Sequence, residues 1–117
     1  MEGAMKEIKA YVREERLPSV AQALRSAGAH EITTVRVIPV ETEAGPSFVD
    51  ISMARPVAHF RPMVKLELVC SDAAAGKYLE LIRETARTGK PGDGIIFISS
   101  IDDAVHIRSG RRGEAAV

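Results

Sequence analysis

The segment Thr88-Gly89-Lys90-Pro91-Gly92-Asp93-Gly94 is the stretch of this 117-residue chain with the clearest capacity for chemistry. Closely spaced glycines let backbone N–H groups approach an anion with no Cβ in the way, and Lys90 adds a positive charge. The spacing matches neither the Walker pattern nor the dinucleotide fingerprint. Physics alone therefore leaves a plain helix-to-strand connection as the default and anion binding as the sharper alternative. Arg108, Arg111 and Arg112 form a small basic cluster whose forked cations suit phosphate and otherwise read as a solvated tail. His30-Glu31, His59 and His106 could join Cys70, Met53 or Met63 at a metal, but no ligand spacing repeats, and ordinary histidines are the simpler reading. Asp102-Asp103 reads as a solvated turn or short cap. No Ser/His/Asp or Cys/His arrangement stands out.

These residues need elements to hold them. Ile8, Ala10 and Val12 alternate with polar or amphipathic neighbours over residues 6–13, which predicts a half-buried strand. Leu17-Pro18 opens a helix, Leu17, Val20, Leu24 and Ala27 make its apolar stripe, and Gly28 stops it. The β-branched run Ile32-Thr33-Thr34-Val35 and then Val37 predict a second strand over 32–40. Residues 41–58 are a long loop with Gly45-Pro46, Pro56 and scattered acids, and a loop of that length in a small domain is usually functional or disordered.

Val64, Leu66, Leu68 and Cys70 predict a third strand, with Ser71 or Asp72 as the cap of a helix that runs to about Arg87. Ala75, Tyr78, Leu79, Ile82 and Ala86 form the inner face of that helix. A fourth strand covers Ile95 to Ser100 and a short fifth Val105 to Arg108, before a polar, mobile tail over 109–117. The order β-α-β, loop, β-α-β predicts a single α+β domain over residues 1–117 with the ferredoxin-like, split βαβ fold. Its helices cover one sheet face only. Because strand four is apolar on both sides, Phe97 and its neighbours need cover from something else, most simply a second copy of the chain.

Composition narrows the function further. Sixteen basic and sixteen acidic side chains cancel, which gives no support for nucleic acid or an anionic membrane as the main partner. No apolar run approaches the roughly 20 residues of a membrane span, and residues 1–6 lack the apolar core of a signal peptide, so a cytoplasmic location is expected. The single cysteine, Cys70, excludes an internal disulfide and reads as a small buried hydrophobe.

Thr88-Gly89-Lys90-Pro91-Gly92-Asp93-Gly94-Ile95-Ile96-Phe97-Ile98 resembles the C-terminal signature of the P-II signalling family. Ile107-Arg108-Ser109-Gly110 resembles it too, with the ending Gly113-Glu114-Ala115-Ala116-Val117, as do Met5-Lys6-Glu7-Ile8-Lys9-Ala10 and Phe60-Arg61-Pro62-Met63-Val64-Lys65-Leu66-Glu67-Leu68-Val69. The likeness covers nearly the whole chain. It implies a homotrimer with nucleotide sites in the clefts between subunits, where ATP and ADP compete and the central loop follows the occupant. By that resemblance Glu67, Val69, Gly92, Asp93 and Gly94 hold the nucleotide, while Thr33 and Arg108 reach it from the neighbouring subunit. Lys90 and His106 complete the candidate set.

Departures from the family pattern bear on the chemistry. Ile95 follows the last glycine of the turn where the family has a basic residue, and His106 stands where it has another. Losing charge-assisted contacts, at about 1.5–3 kcal/mol each, weakens ATP more than a less charged nucleotide such as AMP or a cyclic nucleotide. Lys90, Arg111 and Arg112 are available to compensate. No tyrosine lies between Glu41 and Ala58, so the family's uridylylation is excluded at this loop. Pro39 and Glu41 replace the glycines at its start and its glutamine is missing, which leaves metal-assisted 2-oxoglutarate binding without its usual residues.

The expectation is a non-catalytic regulator whose nucleotide, with magnesium or bicarbonate as companions, biases loop 41–58 to dock onto a transporter or enzyme. Its branch would lie outside ordinary nitrogen control, linked to bicarbonate or carboxysome function or to heavy-metal efflux. A trimeric metal or small-ion sensor with a vestigial nucleotide site is the alternative, and a slow nucleotide hydrolase a third.

Overall fold

The computed structural model describes residues 4–39 and 62–117. The central loop, with Met53 and His59, lies outside the described residues, as does Val40 of the expected second strand. Four strands make one sheet: β1 (Met5–Arg13), β2 (Thr33–Val37), β3 (Met63–Ser71) and β4 (Gly94–Ile101). Their order across the sheet is β2-β3-β1-β4, with every neighbouring pair antiparallel. Two helices, α1 (Leu17–Ser26) and α2 (Asp72–Ala86), follow β1 and β3 respectively. This is the expected α+β, split βαβ arrangement.

Alternation along the two central strands builds the core. In the β1–β3 register Ile8 faces Leu68, Ala10 faces Leu66 and Val12 faces Val64, and all six are buried. Directly opposed residues point to the same side of a sheet, so these pairs form one continuous apolar surface. Helix α1 lays Val20 and Leu24 on it, and α2 lays Ala75, Tyr78, Ile82 and Ala86. Cys70 belongs to this cluster, and burial, followed by the charge of Asp72, raises its thiol pKa. That is the environment of an inert structural cysteine.

Local polar contacts fix the helix ends. The Ser71 hydroxyl accepts from the Ala74 N–H at 3.3 Å and caps α2. A short 3₁₀ turn, Glu14–Arg16, leads into α1. Arg16 donates from Nε and Nη2 to the Thr85 carbonyl at 2.9 and 2.6 Å, which satisfies an orphan acceptor in the last turn of α2 and ties the two helical layers together.

The other face of the sheet carries Glu7, Lys9 and Tyr11 from β1, Lys65, Glu67 and Val69 from β3, and Ile95 and Phe97 from β4. Lys65 pairs with Glu67 at 3.1 Å, and Phe97 meets Tyr11 edge to face with ring centroids 6.4 Å apart. Ile95 and Phe97 remain 53% and 51% exposed. The two-sided apolar character read from strand four is thus real, and among the described residues both its outer side and Ile98 on its inner side, 40% exposed, are left without full cover.

Beyond β4 the structure departs from expectation. Val105 to Arg108 does not form a strand. Val105 makes one isolated bridge with Arg112, and the His106 N–H donates to the Arg111 carbonyl at 2.8 Å while the Gly110 N–H returns to the His106 carbonyl at 2.7 Å. The chain doubles back too sharply for a ladder to extend. Residues after Ser109, expected as a mobile tail, are folded back: Gly113 N–H donates to Ala104 at 3.0 Å, Arg112 forks onto Asp103 at 2.8 and 3.1 Å, and Gly113–Ala116 form a 3₁₀ turn.

Truncating Leu66 to Ala, at the centre of the buried pairs, is expected to cost about 2–5 kcal/mol. Glu84→Ala on the exposed side of α2 should change stability by no more than about 0.5 kcal/mol. Urea unfolding of the two variants at equal protein concentration checks the contrast.

Candidate functional site

A difference in strand length makes the main cleft. β2 pairs with β3 only from Val37 opposite Met63 to Thr33 opposite Glu67, whereas β3 continues along β1 to Ser71. Leu68–Ser71 therefore have no strand partner on the β2 side among the described residues, and their backbone donors and acceptors border an open cleft of about 610 Å³. Thr33 and Glu67 stand side by side at its wall, with Val69 two residues further along the same face. His106 and the folded-back residues 114–117 line it from the C-terminal end. Glu7, Glu31, Glu67 and Glu114 contribute carboxyl groups, and no lysine or arginine appears among the described lining residues.

The glycine turn lies at the other end of the sheet. Gly94 pairs with Val12, while Val69 pairs with Glu7. Five residues of β1 separate these positions, about 17 Å at strand rise. Gly94 is obligatory for packing, because its φ is +107° and a Cβ there would come 1.7 Å from the Tyr11 carbonyl oxygen.

Asp93 organises the turn from within. Its Oδ2 accepts the N–H groups of Thr88 and Gly89, each at 2.9 Å, and its Oδ1 accepts the Thr88 hydroxyl and Arg13 Nε, the latter at 2.9 Å. Hydrogen bonds from the Thr88 hydroxyl and amide first, then from Arg13 and Gly89, hold the carboxyl far below the usual carboxylate range and outweigh the opposing effect of desolvation. Arg13 is only 1% exposed, and its Nη2 donates to the Pro91 carbonyl at 2.8 Å. Its Nη1 is buried without an acceptor among the described residues. Two of the turn's backbone N–H groups, those of Thr88 and Gly89, therefore face Asp93 and are unavailable to an outside anion.

Within one chain the nine candidate residues separate. Thr33, Glu67, Val69 and His106 share the cleft. Lys90, Gly92, Asp93 and Gly94 belong to the distant turn, and Arg108 is exposed on the bend between His106 and Gly110. Within one chain, strand pairing sets Thr33 beside Glu67, with Val69 two residues further along β3. Sequence reasoning missed Arg13 and Thr88 as holders of the turn and the tail as a wall of the cleft. By register Arg13 continues the face of Glu7, Lys9 and Tyr11, so nothing local marks it, and its acidic partner is eighty residues away. Among the described residues no three His, Cys, Asp or Glu side chains converge as a metal site, and no helix is long and apolar enough to cross a membrane.

A one-sided split βαβ sheet with a cleft at its short edge strand and a glycine turn at the opposite end defines the ferredoxin-like class. Comparison with known proteins narrows it. Residues 5–111 match the family described as nitrogen regulatory protein P-II. The chain is 36% identical to nitrogen regulatory protein P-II of Rhodospirillum rubrum, covering 97% of this chain and 100% of that one. It is 38% identical to the Mesorhizobium japonicum protein with the same coverage, and 38% identical to nitrogen regulatory protein P-II 2 of Methanothermobacter thermautotrophicus, covering 97% of each. The crystal structure of Arabidopsis thaliana PII bound to citrate superposes with a TM-score of 0.77 at 28% identity, covering 98% of this chain and 94% of that one. The chain belongs to the P-II family of signal-transduction regulators.

Asp93 gives the turn an acid limit. A carboxyl whose folded-state pKa is depressed stabilises the fold above its unfolded value and loses that contribution as pH falls toward the folded value. Amide-exchange protection at Thr88 and Gly89 is expected to hold at neutral pH and to decline below about pH 4, the ordinary aspartate range. Asp93→Asn should lower protection at neutral pH and flatten the acid limb, which exchange measured from pH 3 to 7 would show.

Proposed function

We propose that this chain is a non-catalytic cytoplasmic regulator that holds an adenine nucleotide between copies of itself and reports occupancy through residues 41–58 to a transporter or enzyme. The cleft carries this reading. Thr33 and Glu67 form the last β2–β3 pair and Val69 lies on the unpaired edge of β3 just beyond it, an edge that can read the hydrogen-bonding groups of a purine. The cleft's described lining has no lysine or arginine, and Glu67 and Glu7 are paired with Lys65 and Lys9 just beside it, which suits a neutral base. Arg108, Arg111 and Arg112 lie on the C-terminal segment that also lines the cleft through His106 and residues 114–117, whereas the turn with Lys90 is about 17 Å along the sheet. One chain does not bring both its cleft and its turn to one small ligand. A second copy can bring its turn to this cleft, and the half-exposed Ile95 and Phe97 supply an apolar surface for such assembly. The family's trimer is the proposed form.

ATP and ADP are the proposed occupants, with magnesium on the phosphates and bicarbonate as a possible co-ligand class. Ile95 and His106 thin the cationic set, which favours a less charged nucleotide over ATP relative to other members of the family. The missing tyrosine in 41–58 supports a branch outside ordinary nitrogen control, with a bicarbonate- or heavy-metal-linked partner.

Calorimetry with ATP, ADP, AMP, a cyclic adenylate and adenosine tests the reading. Arg108→Ala is expected to weaken ATP by about ten- to a hundredfold, the range of a charge-assisted contact, while light scattering still gives a trimer. Unchanged ATP affinity would remove Arg108 from the site, and a wild-type protein that binds none of the panel would overturn the function.

A further inference from the structure

We propose that Arg13 and Asp93 are a positioning pair: they set the shape of the Thr88–Gly94 turn, and so act on a bound phosphate through the turn's backbone. The inference rests on the reading of that turn as the phosphate end of a nucleotide site. Its basis is saturation of the carboxylate. An ionised aspartate offers about four acceptor positions. Asp93 receives four donors from within the protein: the N–H groups of Thr88 and Gly89 on Oδ2, and the Thr88 hydroxyl and Arg13 Nε on Oδ1. No capacity is left for a metal or a ligand hydroxyl, so Asp93 is not a contact residue.

Arg13 supplies what the carboxylate lacks. It is anchored in central strand β1, fully inside the protein, and its Nε and Nη2 hold Asp93 and the Pro91 carbonyl, the two residues that flank Gly92. The fork therefore brackets Gly92 from both sides, and a Cβ on Gly92 would come within 3.4 Å of Nη2. Charge follows the same logic. A bare carboxylate beside an anion site would repel the ligand, and the buried guanidinium at 2.9 Å offsets that charge. The pair makes a net-neutral base for a turn in which the Lys90 N–H also closes inward, onto the Thr88 hydroxyl at 3.2 Å, while the Lys90 side chain is exposed.

Two measurements on the full chain test this. The first is amide exchange at Thr88 and Gly89 in the ligand-free protein, for wild type, Asp93→Asn and Arg13→Lys. The second is calorimetry with ATP, with and without magnesium, and with adenosine. Both variants are expected to speed exchange about tenfold or more and to weaken ATP about tenfold or more, equally with and without magnesium, while adenosine changes less than about twofold. The double variant should lose no more than the weaker single, because the two residues act as one unit. Arg13→Lys keeps the buried charge, and Thr88→Val reports on the same network should either variant fail to fold. A loss confined to magnesium conditions would make Asp93 a metal ligand and overturn the proposal. Tighter ATP in Asp93→Asn would mean that the carboxylate faces phosphate, with the same consequence, and so would unchanged exchange or additive losses. If wild type bound no adenylate, the nucleotide reading would fail while the exchange arm still judged the pair.

Discussion

Two helices laid on one face of a four-stranded sheet leave the other face to find its own cover. Everything distinctive in this protein follows from that constraint. The inner face is saturated by Val20, Leu24, Tyr78 and Ile82 against the central strands. The outer face mixes paired charges, such as Lys65 with Glu67, with the apolar pair Tyr11 and Phe97. An exposed aromatic in that setting is a poor solvent surface and a good contact surface. The same economy of strands makes the cleft: β2 is five residues long and β3 nine, so the overhang exposes a sheet edge where recognition by backbone groups is built in.

Charges are matched locally: Glu67 with Lys65 beside the cleft, Arg112 with Asp103 at the C-terminal bend, and Arg13 with Asp93 at the turn. A buried arginine is costly unless its charge and hydrogen bonds are matched. Arg13 is tolerable because Asp93 and the Pro91 carbonyl meet it at close range, and that match in turn fixes a loop that glycines alone would leave loose.

The parts of the fold that were legible in the sequence are those set by local pattern. Alternation at Ile8, Ala10 and Val12, the stripes on both helices apart from Leu79, which stays outside the core cluster, and Ser71 before α2 each depend on neighbours within a few residues, and these are found where expected. What escaped notice depends on distant partners. The cleft arises from the register of two strands with a long segment between them. Arg13 has no partner near it in sequence, and only the fold brings Asp93 to it. Val105 and Ile107 have the look of a strand, but the hydrogen bonds joining His106 to Gly110 and Arg111 close a bend that leaves Ile107 fully exposed. Family resemblance supplied the candidate residues. Only strand pairing revealed which of them share a chain's own cleft.

Mixing of protomers tests most directly whether one copy's cleft and another's turn form a single site. One variant would carry Thr33→Ala with Glu67→Ala, and a second would carry Gly92→Val, each unable to bind ATP alone. When the two are unfolded together, refolded as mixed oligomers and titrated with ATP, a fraction of sites should recover wild-type affinity, because some interfaces then join an intact cleft to an intact turn. Mixed oligomers that bind no better than either parent would contradict the shared site.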